Sequence, residues 1–136
     1  IGEQLTPIYP KEYFYLVSKP DCSISTQEVF TAADLPRNTP KLNPDEFNIE
    51  QCHNDCQTLV IKRYTEVAKL LAWLIEYAPS QMTGTGACIF SRFDSIEAAN
   101  RVKLQLPANI ESFVTKGINK SPLHTALTAV RETINR

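Results

Sequence analysis

The feature that most constrains this chain is an alternation, in which runs built for strands are separated by segments built for capped helices. Tyr13-Phe14-Tyr15-Leu16-Val17-Ser18 is dense in aromatic and β-branched residues and stops at Lys19-Pro20, which predicts a strand, and a central one. Similar runs over residues 87–93 and 113–118 predict two more. Helix starts lie between them. Ser25-Thr26-Gln27-Glu28 has the form of a capping box, so a short helix should run through Val29 and Phe30. Asn43-Pro44 sets a cap ahead of a proline at the first helical position and predicts a helical turn through Phe47 and Ile49. Asn54 or Asp55 can cap a helix through Leu59, Val60 and Ile61.

From Thr65 onward Val67, Leu70, Leu71, Leu74, Ile75 and Ala78 recur at the helical period, with Trp73 at the margin, until Pro79. Asp94-Ser95-Ile96-Glu97 opens another helix, with Ile96, Ala99, Val102 and Leu106 on one face before Pro107. Ser121-Pro122 opens a last one, whose Leu123, Leu127, Val130 and Ile134 are spaced four, three and four. Leu35-Pro36-Arg37-Asn38-Thr39-Pro40 has two prolines and no period, and reads as a stiff loop. The pattern predicts an α+β two-layer sandwich, with helices covering one face of a small, mostly antiparallel sheet in a ferredoxin-like arrangement. A chain of 136 residues, 43% hydrophobic and 21% charged, fits one domain with a real core.

Charge narrows the function classes. A formal net charge of −1 gives no reason to expect nucleic acid as a partner. No membrane partner is expected either, because the most apolar stretch, Val67 to Ala78, is short and broken by Lys69 and Glu76. No signal-peptide pattern is present, and the chain opens on Ile1 rather than methionine, which reads as a piece of something longer or a trimmed product. Without a secretory signal, Cys22, Cys52, Cys56 and Cys88 are expected to be free thiols.

Candidate chemistry centres on Met82-Thr83-Gly84-Thr85-Gly86-Ala87-Cys88-Ile89-Phe90. Glycine accepts φ > 0 and lets backbone N–H groups approach an anion, and threonine adds hydroxyl donors. On the pattern alone, Gly-x-Gly before a strand is more often an ordinary tight turn. Cys52-His53-Asn54-Asp55-Cys56 invites a zinc reading, but structural zinc takes four ligands and no second pair is near. A helix junction capped by Asn54 or Asp55 is the expected alternative, and on a single helix Cys52 and Cys56 would share a face one turn apart. His53 and His124 sit in no nucleophile signature, Cys88 enters an apolar strand, and there is no Walker-type loop. Phe30, just after a helix start, is read as a core residue or as a wall for a planar base.

Several segments together carry a resemblance. Leu35 to Pro40, Asn54-Asp55-Cys56, Glu76-Tyr77-Ala78-Pro79-Ser80, Met82 to Phe90 and Lys116-Gly117-Ile118-Asn119-Lys120-Ser121-Pro122-Leu123-His124 occur in an order and spacing similar to the C-terminal half of the bacterial 4-diphosphocytidyl-2-C-methyl-D-erythritol kinases, in the GHMP kinase superfamily. The resemblance implies that residues 1–136 are a GHMP kinase C-terminal domain. The family transfers the γ-phosphoryl of ATP, with Mg²⁺, to the 2-hydroxyl of a cytidine-diphosphate-linked methylerythritol in non-mevalonate isoprenoid precursor synthesis. Its active site lies in the cleft between two domains.

Carried over by resemblance, Gly84, Thr85 and Gly86 line the phosphates, Phe30 stacks on the cytosine ring, and Thr26 lies on the same substrate-lining segment. Position 27 departs from the pattern: some relatives have proline where this chain has Gln27. The catalytic lysine and aspartate and the ATP loop belong to an N-terminal domain with no counterpart here. That domain is the implied partner, no catalytic residue and no metal ligand are assigned to this chain, and the fragment alone should be inactive. The setting implied is the bacterial cytoplasm or a plastid stroma. The alternatives are the C-terminal domain of another GHMP kinase, acting on mevalonate, homoserine or a sugar, and a non-catalytic ferredoxin-like ligand-binding module.

Overall fold

The first strand run forms β1 (Phe14–Lys19), one of the two inner strands of a four-stranded antiparallel sheet in a computed structural model that describes residues 5–135. β1 pairs on one side with β3 (Ile89–Phe93) and on the other with β4 (Glu111–Lys116), while β2 (Ser80–Met82) adds to the outer side of β3. The order β2-β3-β1-β4, with β1 and β2 joined by a long helical crossover, is the expected ferredoxin-like arrangement. That crossover contains α1 (Thr26–Thr31), two 3-10 turns (Pro44–Glu46 and Ile49–Gln51), α2 (Asp55–Arg63) and α3 (Thr65–Ile75). A second crossover carries α4 (Ile96–Lys103), and α5 (Pro122–Ile134) follows β4.

Side-chain period explains the two layers. Leu16, Ile89, Phe93 and Met82 point to the helical side and are buried with Leu59, Val60, Val67, Leu70, Leu71, Leu74, Ala99 and Val102. Each fully buried aliphatic side chain contributes about 1.5–3 kcal/mol through removal from water. Three serines share this inner face. Ser80 Oγ donates to Ala78 O at 2.8 Å and lies 2.7 Å from Ser91 Oγ, whereas the fully buried Ser18 Oγ has no partner among the described residues. Tyr15, Val17, Phe90 and Arg92 alternate to the opposite face and are half-buried.

The caps follow the sequence closely. Ser25 accepts from Glu28 N, Asn43 from Asp45 N, Asn54 from Cys56 N, Ser95 from Ala98 N and Ser121 from Leu123 N. Some expectations about the elements need correction. α3 ends at Ile75, not at Pro79, and Ile75 is exposed, because residues 76–78 turn away toward β2. β2 itself is absent from the sequence reading, since Ser80-Gln81-Met82 is too short for its alternation to register. Ile96 is likewise exposed, so the buried face of α4 starts at Ala99.

The largest departure is α5. The two-layer reading has the helices cover the sheet, yet on α5 Leu123, Leu127, Val130 and Ile134 are 63%, 45%, 54% and 76% exposed. Amphipathic spacing specifies that a helix has an apolar face, not what covers it. Among the described residues, no helix is long and apolar enough to cross a membrane.

Candidate functional site

Residues 83–88 form the connection of the β2–β3 hairpin. Thr83 N donates to Cys88 O at 2.9 Å and Gly86 N to Thr83 O at 3.1 Å, which closes a turn over residues 83–86. Gly84 and Gly86 have φ of +56° and +92°, so both hold a conformation that other L-residues avoid. Their surroundings differ. A Cβ on Gly84 would meet nothing within 4 Å, whereas one on Gly86 would lie 2.6 Å from Ile24 Cδ1 and 3.0 Å from Met82 Sδ. Gly84 therefore lies open at the loop tip, and Gly86 is pressed onto core side chains. Among the described residues, neither the Gly84 nor the Thr85 N–H has a backbone partner.

A cleft of about 640 Å³ opens beside this tip, lined in part by Phe30, Arg37, Asn54, Thr83 and Gly84. Phe30 is 54% exposed, so the core reading of that ring is corrected: Val29 takes the inward position on α1 and Phe30 faces the cleft. Thr26, one turn ahead of Phe30, places its Oγ1 2.9 Å from Thr85 Oγ1. The start of α1 and the glycine hairpin, 59 residues apart in sequence, thus touch at the margin of one cleft. Of the sequence-predicted residues, Phe30 and Gly84 line it, Thr26 and Thr85 flank it, and Gly86 turns toward the core.

The stiff loop has a role that its sequence does not disclose. Arg37 Nη2 donates to Phe30 O at 2.5 Å and lies 3.4 Å from Ala32 O, so a guanidinium satisfies carbonyls at the C-terminal end of α1. Thr39 Oγ1 donates to Asp55 Oδ1 at 2.8 Å, and His53 Nε2 lies 3.1 Å from the same oxygen. Leu35–Pro40 is thereby tied at two points, Arg37 to the helix that carries Phe30 and Thr39 to the start of α2. Sequence reasoning also missed Asn54 as more than a cap. Its Oδ1 accepts from Cys56 N at 3.0 Å, while Nδ2 donates to Met82 O at 2.9 Å and to Gly84 O at 2.7 Å. Gln57 Oε1 accepts from Met82 N at 2.9 Å on the same strand end.

Cys52 and Cys56 do not share a helical face, because Cys52 precedes α2 and follows the second 3-10 turn, with its thiol on Asn48 O. Among the described residues no three His, Cys, Asp or Glu side chains gather as a metal site, and all four cysteines are unpaired. A second cavity, of about 580 Å³, lies on the open face of the sheet over Tyr15, Val17 and Phe90. It includes none of Thr26, Phe30, Gly84, Thr85 and Gly86.

From the end of α1 to the start of β4, over residues 32–112, the chain matches the family model described as "GHMP kinases C terminal". The chain belongs to that family. Its relatives are more particular. It is 61% identical over 128 residues to a protein of Colwellia psychrerythraea named 4-diphosphocytidyl-2-C-methyl-D-erythritol kinase, an alignment covering 90% of this chain and 43% of the relative. Proteins of the same name from Shewanella woodyi and Pseudoalteromonas atlantica are 55% and 52% identical over 127 residues, 93% of this chain and 45% and 44% of theirs. The chain spans less than half the length of the curated relatives it matches.

Proposed function

We propose that this chain is the substrate-side domain of an ATP-dependent kinase that phosphorylates the 2-hydroxyl of 4-diphosphocytidyl-2-C-methyl-D-erythritol, in non-mevalonate isoprenoid precursor synthesis in the bacterial cytoplasm. One observation carries the reading: an exposed aromatic, Phe30, and an open glycine tip, Gly84, line one cleft whose margin is tied by the Thr26–Thr85 hydroxyl pair. That arrangement offers a planar wall for a pyrimidine, and free N–H and hydroxyl donors where phosphate oxygens would lie. The names of the relatives supply the substrate.

In the reaction, the acceptor hydroxyl attacks the γ-phosphorus in line, the bond to the ADP oxygen breaks, and the hydroxyl proton passes to a base. Such transfers depend on positioning and on charge stabilisation around the phosphoryl group. Phe30 holds the ring, Thr26 and Thr85 fix the lip of the cleft, and Gly84 lets the backbone approach. The base, the Mg²⁺ site and most ATP contacts fall to an N-terminal domain outside this chain. The uncovered stripe of α5 (Leu123, Leu127, Val130 and Ile134) is where such a domain would bury apolar surface.

The test is ATP-dependent phosphorylation by the longer protein carrying this chain, with the diphosphocytidyl alcohol, mevalonate and homoserine offered in parallel. Transfer to the diphosphocytidyl substrate alone, and none by residues 1–136 by themselves, is the expected result. Transfer to mevalonate or homoserine instead, or to no acceptor, would overturn the reading.

A further inference from the structure

We infer that Asn54 is a positioning residue for the glycine hairpin, which deepens the proposed kinase reading and rests on it. An N-cap needs only a side-chain acceptor, and Asp, Ser or Asn serve about equally well in that role. Here the side chain meets three backbone groups at once: the Cys56 N–H at 3.0 Å, the Met82 carbonyl at 2.9 Å and the Gly84 carbonyl at 2.7 Å. One acceptor and two donors on a single short side chain is the inventory of an asparagine amide. Aspartate has no donor, and its second oxygen would sit against two carbonyl oxygens. Serine has a single rotating hydroxyl. The orientation of the amide is fixed by the same set, because flipping it would leave the N–H facing a donor and two carbonyls facing an acceptor.

The consequence lies in the loop. Met82 is the last residue of β2 and Gly84 is the open tip, so the two bonds pin the loop on both sides of Thr83. Gln57 Oε1, on the next turn of α2, takes the Met82 N–H and holds the same strand end. Among the described residues, only the Thr26–Thr85 contact fastens the far side of the tip through side chains. Asn54 thus couples the first turn of α2 to the position of the atoms nearest the cleft. Its exposure is intermediate, so water can reach the site once the amide is gone, and the loop would then sample other positions. Misplacement by about 1 Å of a group that orients substrate can cost on the order of 100-fold in rate.

Two variants separate the cap from the staple. Asn54→Ser and Asn54→Asp keep a capping oxygen, and both lose the paired donors. Amide hydrogen exchange and thermal unfolding are measured on the unmodified protein and both variants, and kcat and KM on the longer enzyme carrying them. The expected result is a melting temperature within a few degrees of the parent, with exchange at the hydrogen-bonded Thr83 and Gly86 amides of the loop faster by about tenfold or more. With it, kcat should fall on the order of 10- to 100-fold while KM for ATP changes little, and Asn54→Asp should be no better than Asn54→Ser. Unchanged loop exchange in both variants would refute the staple. Faster exchange with unchanged kcat would refute its positioning role while leaving the kinase reading intact. Failure of that reading shows up separately, as an unmodified enzyme that transfers no phosphoryl group, and the positioning role in that reaction falls with it.

Discussion

Replacing the two glycines of the hairpin one at a time should give opposite phenotypes. In Gly86→Ala the new Cβ meets Ile24 Cδ1 at 2.6 Å and Met82 Sδ at 3.0 Å, at a residue with φ of +92°. Ile24 is half-buried and its terminal methyl can rotate, but Met82 is 1% exposed and has little room. Backbone strain at such a φ costs about 1–3 kcal/mol, and overpacking about 1–3 kcal/mol. Loss of glycine flexibility in the unfolded chain returns about 0.4–1 kcal/mol, leaving a net destabilisation of roughly 2–4 kcal/mol. In Gly84→Ala the φ of +56° lies in the ordinary left-handed region and the Cβ touches nothing within 4 Å, so the net cost is about 1 kcal/mol or less. For a chain of this size about 1 kcal/mol moves the melting temperature by roughly 3–5 °C. Differential scanning calorimetry should therefore place Gly86→Ala roughly 10 °C below the parent and Gly84→Ala within about 4 °C. Activity per folded molecule should fall more in Gly84→Ala than in Gly86→Ala, because Gly84 lines the cleft and Gly86 does not. A Gly84→Ala protein at least as destabilised as Gly86→Ala would refute the assignment of one glycine to packing and the other to the cleft.

Other expected outcomes follow from single contacts. Ser18→Ala removes a fully buried hydroxyl with no partner among the described residues, so denaturant titration should find it equal to the parent or more stable by up to about 1 kcal/mol. Thr85→Val and Thr26→Val should each lower kcat, and the double variant should lose little beyond either single, because the two hydroxyls act as one pair. Burial, with help from Glu66 and Asp21, pushes the Cys22 thiol above its ordinary value of 9.0. Stability from that shift is present below the ordinary value and lost as pH rises through the folded one. Melting temperature should thus fall less steeply above about pH 9 in Cys22→Ser than in the parent.

The fold was largely open to inspection in the sequence because its signals are local. Ser25, Asn43, Ser95 and Ser121 are caps wherever they occur before the right neighbours, and the density of Tyr13 to Ser18 marks an inner strand. β2 escaped because three residues carry no measurable period. α5 misled because its stripe reports an apolar face, and the sandwich does not supply the surface to cover it. The site was less readable, since its logic is long-range. Phe30 is ambiguous until Val29 takes the inward place. The bonds of Arg37 to α1 and of Asn54 to Met82 and Gly84 join segments up to 30 residues apart, and nothing local announces them. The one hint was the choice of asparagine, rather than aspartate or serine, at the cap of α2.

The most direct measurement is the steady-state kinetics of Phe30→Ala in the longer kinase. Stacking of a base on an aromatic ring is worth about 1–3 kcal/mol, so KM for the diphosphocytidyl substrate should rise about 5- to 150-fold, with KM for ATP unchanged. An unchanged KM for that substrate, or a rise confined to ATP, would show that the cleft between Phe30 and the glycine hairpin does not hold the cytidine ring.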